Sequence, residues 1–271
     1  MKIIAEIGWN HMGDMALAED MISAASDSGA NVVKFQYWDP FYLKQGSWDS
    51  DGRREIYNKA ALNKERISDL ISLSEKYKCE FLISVFGTKG AQLMKEIGLS
   101  DIKIPSHETI NHRLIEFCSN NFSKIYFSAG ASTEQEILSA VEILDNGSAD
   151  FNLMHCVSSY PCPNNQINLP RLDWLSSLSK NIGFSDHTRS TTIPAISVAY
   201  GVTVIEKHFT TDNKLPGRDN ENALEPEEFR IMVDNILEAM DSTTFCGNNY
   251  QDIESDTIEN YRGRWEPHDY E

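Results

Sequence analysis

The sequence has no apolar run approaching the roughly 20 residues that a membrane-spanning helix needs, so an α-helical membrane protein is excluded. Its opening MKIIAEIG is too short and too soon acidic for a secretory leader, and reads as a strand. Cysteine is sparse. The five, at 79, 118, 156, 162 and 246, form no CxxC pair and no regular framework, which points to free thiols in a reducing cytoplasm. Cys156, beside His155, is either a packed core thiol or a nucleophile, but nothing upstream looks like an activating base. Basic charge is also scarce, with 24 Lys and Arg against 41 Asp and Glu, a net charge of −17. That balance argues against nucleic acid and anionic membrane as partners. The deficit is uneven, since residues 241–271 hold eight acids against two arginines. We expect a catalytic domain over 1–240 and an acidic tail over 241–271 that forms no separate domain. A small anionic substrate would then need a locally basic pocket inside an acidic protein.

What is present is ample for one large α/β domain: 271 residues, 41% apolar and 24% charged. Strand-like runs alternate with helical patterns. KIIAEIG is followed by a helix capped at Asp14, with Met15, Ala18, Met21, Ile22 and Ala25 on its buried stripe, and then by NVVKFQYW. A polar loop of about 25 residues, long enough to serve as a lid, precedes a helix marked by Ile67, Leu70, Ile71 and Ser74. EFLISVF, a helix over 88–97, DIKIPS, a helix capped at Asn111 and KIYFSAG come next. Ser132 with Gln135, or Thr133 with Glu136, offers a capping box for the following helix. FNLMHCV then leads through a proline-rich loop over 158–170 to a short helix near 171–179, and a helix beginning at Pro226 closes the series.

Residues 181–209 read as strand, helix, strand: IGFSDH, then Ile193, Ile196, Ser197 and Tyr200 at helical spacing, then VTVIEKHF. Eight strand–helix units in about 240 residues are the size and alternation of a (β/α)8 TIM barrel. An open doubly wound sheet is the alternative, but no GxGxxG follows the first strand.

Strands of a parallel barrel are buried on both faces and should be nearly all apolar. These are not. Ser185 and His187 share one face of the seventh strand, and Glu206 and His208 share one face of the eighth. Two imidazoles at matching heights can reach one divalent metal ion, or can be satisfied core residues. Barrel active sites lie at the C-terminal strand ends. The polar residues there are Glu6, Lys34 with Gln36, Ser84, Lys103 with Ser106 and Glu108, Ser128, Ser158 and Tyr160. Arg218 and Asp219 follow the eighth strand. A lysine inside such a strand is costly unless an anion meets it. Lys34 and Lys103 are therefore either in structural salt bridges, Lys34 with Glu6 for instance, or in a phosphate or carboxylate clamp with the serines. The residues alone describe a metal-assisted enzyme for a small phosphorylated or carboxylated substrate.

The ordered set AEIGWNHMGD, VVKFQ, KIPSHE, FSAGAS, HCVSSYPCP, GFSDHT, IEKHFT and LPGRD resembles the sialic acid synthase family over residues 1–240. The resemblance implies condensation of phosphoenolpyruvate with an aldose such as an N-acetylmannosamine-like sugar, giving a nonulosonic acid. It implies His187 and His208 as ligands of Mn2+ or Mg2+. Lys34, Ser84, Lys103, Ser106, Ser128, Ser158 and Ser185 match positions that hold phosphoenolpyruvate. Gln36, Glu108, Tyr160 and Asp219 match sugar-facing positions, with Glu6 and Glu108 the acid/base candidates.

The departures are local. Arg218 stands where the family usually has proline, Asn220 and Ala223 replace histidine and serine, and His107 replaces glycine. The family's C-terminal antifreeze-like domain, which in the homodimer sends an arginine to the partner's sugar site, is expected to be missing or separately encoded. NYRGRW resembles the start of its linker. Arg218 is then a candidate substitute for that arginine. A non-catalytic barrel relative that binds the same ligands is the alternative function.

Overall fold

The computed structural model describes residues 1–265, leaving aside the side chains of Trp48 and Arg218; the expected tail acids Glu266, Asp269 and Glu271 lie outside the described residues. The strands are β1 (Lys2–Gly8), β2 (Val32–Tyr37), β3 (Glu80–Val85), β4 (Asp101–Ile104), β5 (Lys124–Ser128), β6 (Asp150–Cys156), β7 (Ile182–Asp186) and β8 (Val204–His208). They pair in parallel, each with the next, and β8 returns to β1, closing the barrel. Around it run α1 (Met15–Asp27), α2 (Arg53–Ala60), α3 (Lys64–Lys76), α4 (Thr88–Ile97), α5 (His112–Asn121) and α6 (Glu134–Asp145). α7 (Arg171–Ser176), α8 (Ile193–Val198), α9 (Arg218–Asn222), α10 (Pro226–Ser242) and α11 (Ser255–Asn260) complete the chain. The architecture is the TIM barrel expected from the alternation of elements.

Successive strand residues point to opposite faces, and closure turns that rule into layers. Outward residues such as Ala5, Val33, Ile83, Phe127, Phe184 and Ile205 pack under the helices in the main core. Inward residues Ile4, Val32, Leu82, Tyr126, Met154 and Val204 form a separate apolar plug inside the barrel. Two positions further along the same strands the inward residues are Glu6, Lys34, Ser84, Ser128, Cys156 and Glu206. The plug is thus the dry base on which a charged layer stands.

The caps follow the sequence. Asp14 accepts from Ala16 and Leu17, Asn111 accepts from Leu114, and the capping box of α6 is Thr133 with Glu136 rather than Ser132 with Gln135. Three expectations need correction. The stretch after β2 is not an irregular loop, for it folds into α2 and two single 3-10 turns. α8 is only six residues long and leaves Ile196 49% exposed, so that residue is not part of its buried stripe. β4 stops before Pro105, which has no N–H to continue the ladder.

Gly13, at φ +82°, lets the β1–α1 connection approach α2 closely: a Cβ there would sit 1.9 Å from the Lys59 carbonyl oxygen. Gly13→Ala is expected to cost about 1–3 kcal/mol in urea unfolding. It should also shift tryptophan fluorescence, because displacing α2 parts the Trp9–Tyr57 edge contact. Unchanged stability and emission would show that α2 is not held there.

Candidate active site

The charged layer is a closed network of four buried side chains. Lys34 Nζ lies 2.5 Å from Glu6 Oε2, 2.9 Å from Ser84 Oγ and 3.8 Å from Glu206 Oε2. Lys103 Nζ lies 3.0 Å from the same Glu206 oxygen, and Ser185 Oγ donates to the other at 2.9 Å. Gln36 Nε2 donates to Glu6 Oε1 at 2.6 Å. The salt-bridge and clamp alternatives therefore coexist: each lysine has a carboxylate partner, and both face the cavity. Burial opposes charge on Glu206, yet Lys103 and Lys34 together hold its carboxyl down, to about 2. Burial pushes Glu6 up; Lys34 pulls against it, Glu206 repels it, and the net is above the ordinary carboxylate range. Lys34 is raised, because Glu206 and Glu6 outweigh its burial, whereas burial leaves Lys103 lowered. One carboxylate is firmly ionised and its neighbour is poised to hold a proton.

A crescent of hydroxyls rises from this floor. Ser106 Oγ accepts from the Gly130 N–H at 3.0 Å. Ser128 Oγ is buried with no hydrogen-bond partner among the described residues. A Cβ at Gly130 would stand 2.7 Å from Ser158 Oγ, 2.8 Å from Ser106 Oγ and 2.9 Å from Cys156 Sγ, so glycine is what lets these groups converge. Cys156 Sγ lies 3.7 Å from His187 Nδ1. The thiol's imidazole neighbour thus comes from the end of β7, downstream of where a base was sought. Burial raises this thiol, but His187 brings it down to about 7.

Above the floor stand the two histidines, their ring centroids 5.4 Å apart. His187 Nδ1 is 2.7 Å from the Val157 carbonyl oxygen, so that nitrogen donates and Nε2 is the one that titrates. His208 Nδ1 is buried without a hydrogen-bond partner among the described residues, 3.9 Å from Asp219 Oδ2. Burial disfavours charge on both rings. Cys156 outweighs it at His187, lifting that ring to about 9, while repulsion from His187 and Lys34 adds to it at His208, which falls well below its usual value. An orphaned imidazole nitrogen on His208, beside a second ring that would give up its proton on binding, is a donor set that fits a divalent cation. Among the described residues no cluster of three or more His, Cys, Asp or Glu forms a closed cage, so a bound ion would keep open positions. Behind the rings, on the helix side, Lys207 Nζ donates to Asp186 Oδ2 at 2.6 Å and to the Ser190 carbonyl at 3.1 Å, tying the ends of β7 and β8 together.

These groups line one cavity of about 450 Å³. Of the residues expected in the site it gathers Glu6, Lys34, Gln36, Ser84, Lys103, Ser106, Ser128, Tyr160, Ser185, His187, His208 and Asp219. The Tyr160 ring lies 4.1 Å from that of His187. Two expected residues are not on the wall: Ser158, one layer back at Gly130, and Glu108. The Glu108 carboxyl accepts from Asn111 Nδ2 at 2.5 Å, because the 3-10 turn after β4 directs it to the start of α5. The carboxyl expected in an acid/base role at Glu108 thus stands off the cavity wall, and the glutamate beside Glu6 on that wall is Glu206. The Arg218 side chain lies outside the described residues. The strand pattern signalled Glu206, an acid two residues before His208 where an apolar residue belongs. Trp9, Trp38, Tyr57 and Phe86, which line the outer cavity, carried no such signal.

A closed parallel barrel with paired lysines, a hydroxyl crescent and an imidazole pair at its C-terminal mouth defines an enzyme of the (β/α)8 class that handles small anions. The chain belongs to the NeuB family, whose model matches residues 21–245. It is 35% identical to N,N'-diacetyllegionaminic acid synthase of Campylobacter jejuni, over 86% of this chain and 75% of that one. With pseudaminic acid synthase of Helicobacter pylori it shares 29% identity over 88% and 74%. The crystal structure of N-acetylneuraminic acid (sialic acid) synthetase from Leptospira borgpetersenii, in complex with citrate, superposes with a TM-score of 0.86 at 33% identity, covering 95% of this chain and 90% of that one.

Glu206→Gln leaves Lys103 buried without its anion. A loss of about 3–5 kcal/mol in urea unfolding is expected, and inorganic phosphate should raise the melting temperature of the variant more than that of the native protein. Equal phosphate effects on both would mean that the lysines do not face an anion site.

Proposed function

We propose that the protein condenses phosphoenolpyruvate with an open-chain aldose, an N-acetylmannosamine-like or related amino sugar, giving a nonulosonic acid and inorganic phosphate. The observation that carries this reading is the arrangement of Lys34, Lys103 and the serine hydroxyls beneath His187 and His208. The names of the relatives, which are legionaminic, pseudaminic and sialic acid synthases, support it.

In this reading the carboxylate and phosphate of phosphoenolpyruvate lie on the lysines and on the crescent of Ser84, Ser106, Ser128 and Ser185. The unpaired Ser128 hydroxyl gains an acceptor there. His187 and His208 would hold Mn2+ or Mg2+, which would supply Lewis-acid polarisation of the aldehyde oxygen. C3 of phosphoenolpyruvate forms a bond to the aldehyde carbon, whose oxygen takes up a proton. Water adds at C2, and C–O cleavage expels phosphate to leave a 2-keto acid. The two protons of that water are accounted for by the new hydroxyl and the phosphate. Glu6, raised by burial and held by Lys34 and Gln36, is the group able to take and return a proton at the floor. Glu206, kept ionised, orients both lysines. The homodimer implied by the sequence resemblance belongs to the same reading, and sedimentation of the purified chain tests it.

Phosphate release from phosphoenolpyruvate in the presence of Mn2+ and a panel of aldoses is the direct test. Activity should vanish in excess chelator and in His187→Ala or His208→Ala variants that stay folded. Lys103→Ala should weaken phosphoenolpyruvate binding about tenfold or more, since a charge-assisted contact is worth about 1.5–3 kcal/mol. Full turnover in chelator would remove the metal from the reading. Unchanged calorimetric affinity in both Lys34→Ala and Lys103→Ala would remove the clamp.

A further inference from the structure

The condensation proposed above must place both protons of a water, one on the new hydroxyl and one on phosphate. Glu6 can carry one of them. The other needs a second group on the cavity wall, where most titratable side chains are already engaged. Burial opposes charge on Glu206, but Lys103 and Lys34 hold it ionised. Cys156 faces His187, and Asp219 stands 3.9 Å from His208. Burial pushes Tyr57 and Tyr160 up, away from ionisation. Arg53 is held by Asp51 at 2.6 and 2.8 Å. His107 differs from all of these: it lines the cavity and makes no hydrogen bond to any described residue.

The turn after β4 explains its placement. Ser106–Glu108 form a single 3-10 turn, in which successive side chains diverge by about 120°. Ser106 Oγ turns to the crescent and accepts from the Gly130 N–H at 3.0 Å. Glu108 turns away, and its carboxyl accepts from Asn111 Nδ2 at 2.5 Å. His107, between them, is left on the cavity side against Phe86, the ring centroids 6.2 Å apart. Phe86 closes an arc of rings. Trp9 meets Tyr57 at 5.1 Å, Tyr57 meets Trp38 at 4.2 Å, and Trp38 lies 6.3 Å from Phe86. The imidazole is therefore braced by an aromatic wall. Thr109 Oγ1 pins the turn from behind, donating to the Ser106 carbonyl at 2.9 Å and to the Ser128 carbonyl at 3.3 Å. The ring thus stands beside the hydroxyl crescent, with its outer side exposed to water. Burial lowers it below the usual histidine value; Glu108, on the same turn, opposes this, and His187, from beyond β7, adds to it. Near pH 7 the imidazole is neutral, with one nitrogen able to accept a proton and return it.

We propose that His107 is a catalytic acid/base of the condensation, acting at C2 of phosphoenolpyruvate. The water oxygen bonds to C2 as one O–H bond breaks, and that proton passes to the imidazole. The imidazolium then protonates the bridging oxygen as the C2–O bond to phosphate breaks, which restores the neutral ring. The second proton of the water leaves the C2 hydroxyl as the keto group forms. It goes to Glu6, replacing the proton that Glu6 gave to the aldehyde oxygen. This assignment rests on the condensing reading and adds to it the group that serves the departing phosphate.

The test uses the full chain with phosphoenolpyruvate, saturating Mn2+ and the panel of aldoses. His107→Gln keeps a planar polar side chain that cannot titrate in this range. It should lower kcat about a hundredfold or more, while the KM of phosphoenolpyruvate stays within about twofold. Calorimetric Mn2+ affinity should be unchanged, which controls for misfolding. Native kcat should fall as the pH drops through the titration of His107, and this acidic limb should be displaced in the variant. Added imidazole should restore turnover to His107→Gly, where the missing ring leaves room for it. A readout independent of turnover is histidine NMR of the metal-free protein, with the His107 signal assigned by its loss in His107→Gln. Phosphoenolpyruvate should move that titration to higher pH, because an anion beside the ring favours the imidazolium. The proposal is overturned by an unchanged kcat in His107→Gln, or by a titration that ignores phosphoenolpyruvate. A loss of activity that leaves the acidic limb in place and that imidazole does not restore overturns it equally. If the native protein releases no phosphate with any aldose, the condensing reading fails and this assignment falls with it. Native turnover with an unaffected variant removes the assignment alone.

Discussion

Two buried lysines and two buried glutamates inside the barrel form the constraint on which the rest of the site depends. Charges taken out of water are tolerated only where each meets an opposite charge and its remaining donors and acceptors are occupied. Lys34 satisfies this through Glu6, Ser84 and Glu206, and Lys103 through Glu206. The network is balanced, with two ammonium groups against two carboxylates. It is also asymmetric. Glu206 is held ionised by both lysines, whereas Glu6 is pushed toward its protonated form by burial and by that same neighbour. A floor with one fixed carboxylate and one that holds a proton readily suits a reaction that must receive an anion and move a proton.

Placement of the network follows from the period of the strand. Ile4, Val32, Leu82 and Val204 seal the barrel below it, and Glu6, Lys34, Ser84 and Glu206 stand two residues above them on the same strands. His208 is one further step along β8, and His187 holds the matching place beyond β7. On the outer side of the same strand ends, Lys207 and Asp186 bind each other and the turn after β7. The two imidazoles are therefore backed by a dry ion pair and faced by the cavity, which fixes their separation before any ligand arrives. A dry base, a polar layer and an imidazole pair occupy successive levels of one cylinder.

The mouth obeys a different logic. Its rings come from connections whose lengths and helices are not dictated by the barrel repeat, and they brace one another across β1 to β4. Floor and wall are thus built by different parts of the fold. α2 is the element that joins the two halves, since it carries Tyr57 into the arc and is seated against the rim through Gly13.

By itself the sequence determined the barrel, because eight apolar strands alternating with capped helices in about 240 residues have few other closures. It also determined most of the floor. Glu6, Lys34, Lys103, His187 and His208 are visible as polar residues at alternating positions in strands that should be apolar on both faces. Tertiary structure alone decided which of them meet. Glu206, on β8, bridges lysines from β2 and β4, strands that pair neither with β8 nor with each other and face it only because the sheet closes into a barrel. Glu108 looked equivalent to Glu6 in sequence, but a 3-10 turn after Pro105 carries its carboxyl away to Asn111. The aromatic wall was legible only as a lid-length stretch after β2, because aromatic residues in a loop have no period to betray their partners. Contacts between Trp9, Tyr57, Trp38 and Phe86 exist only where three connections converge on one mouth.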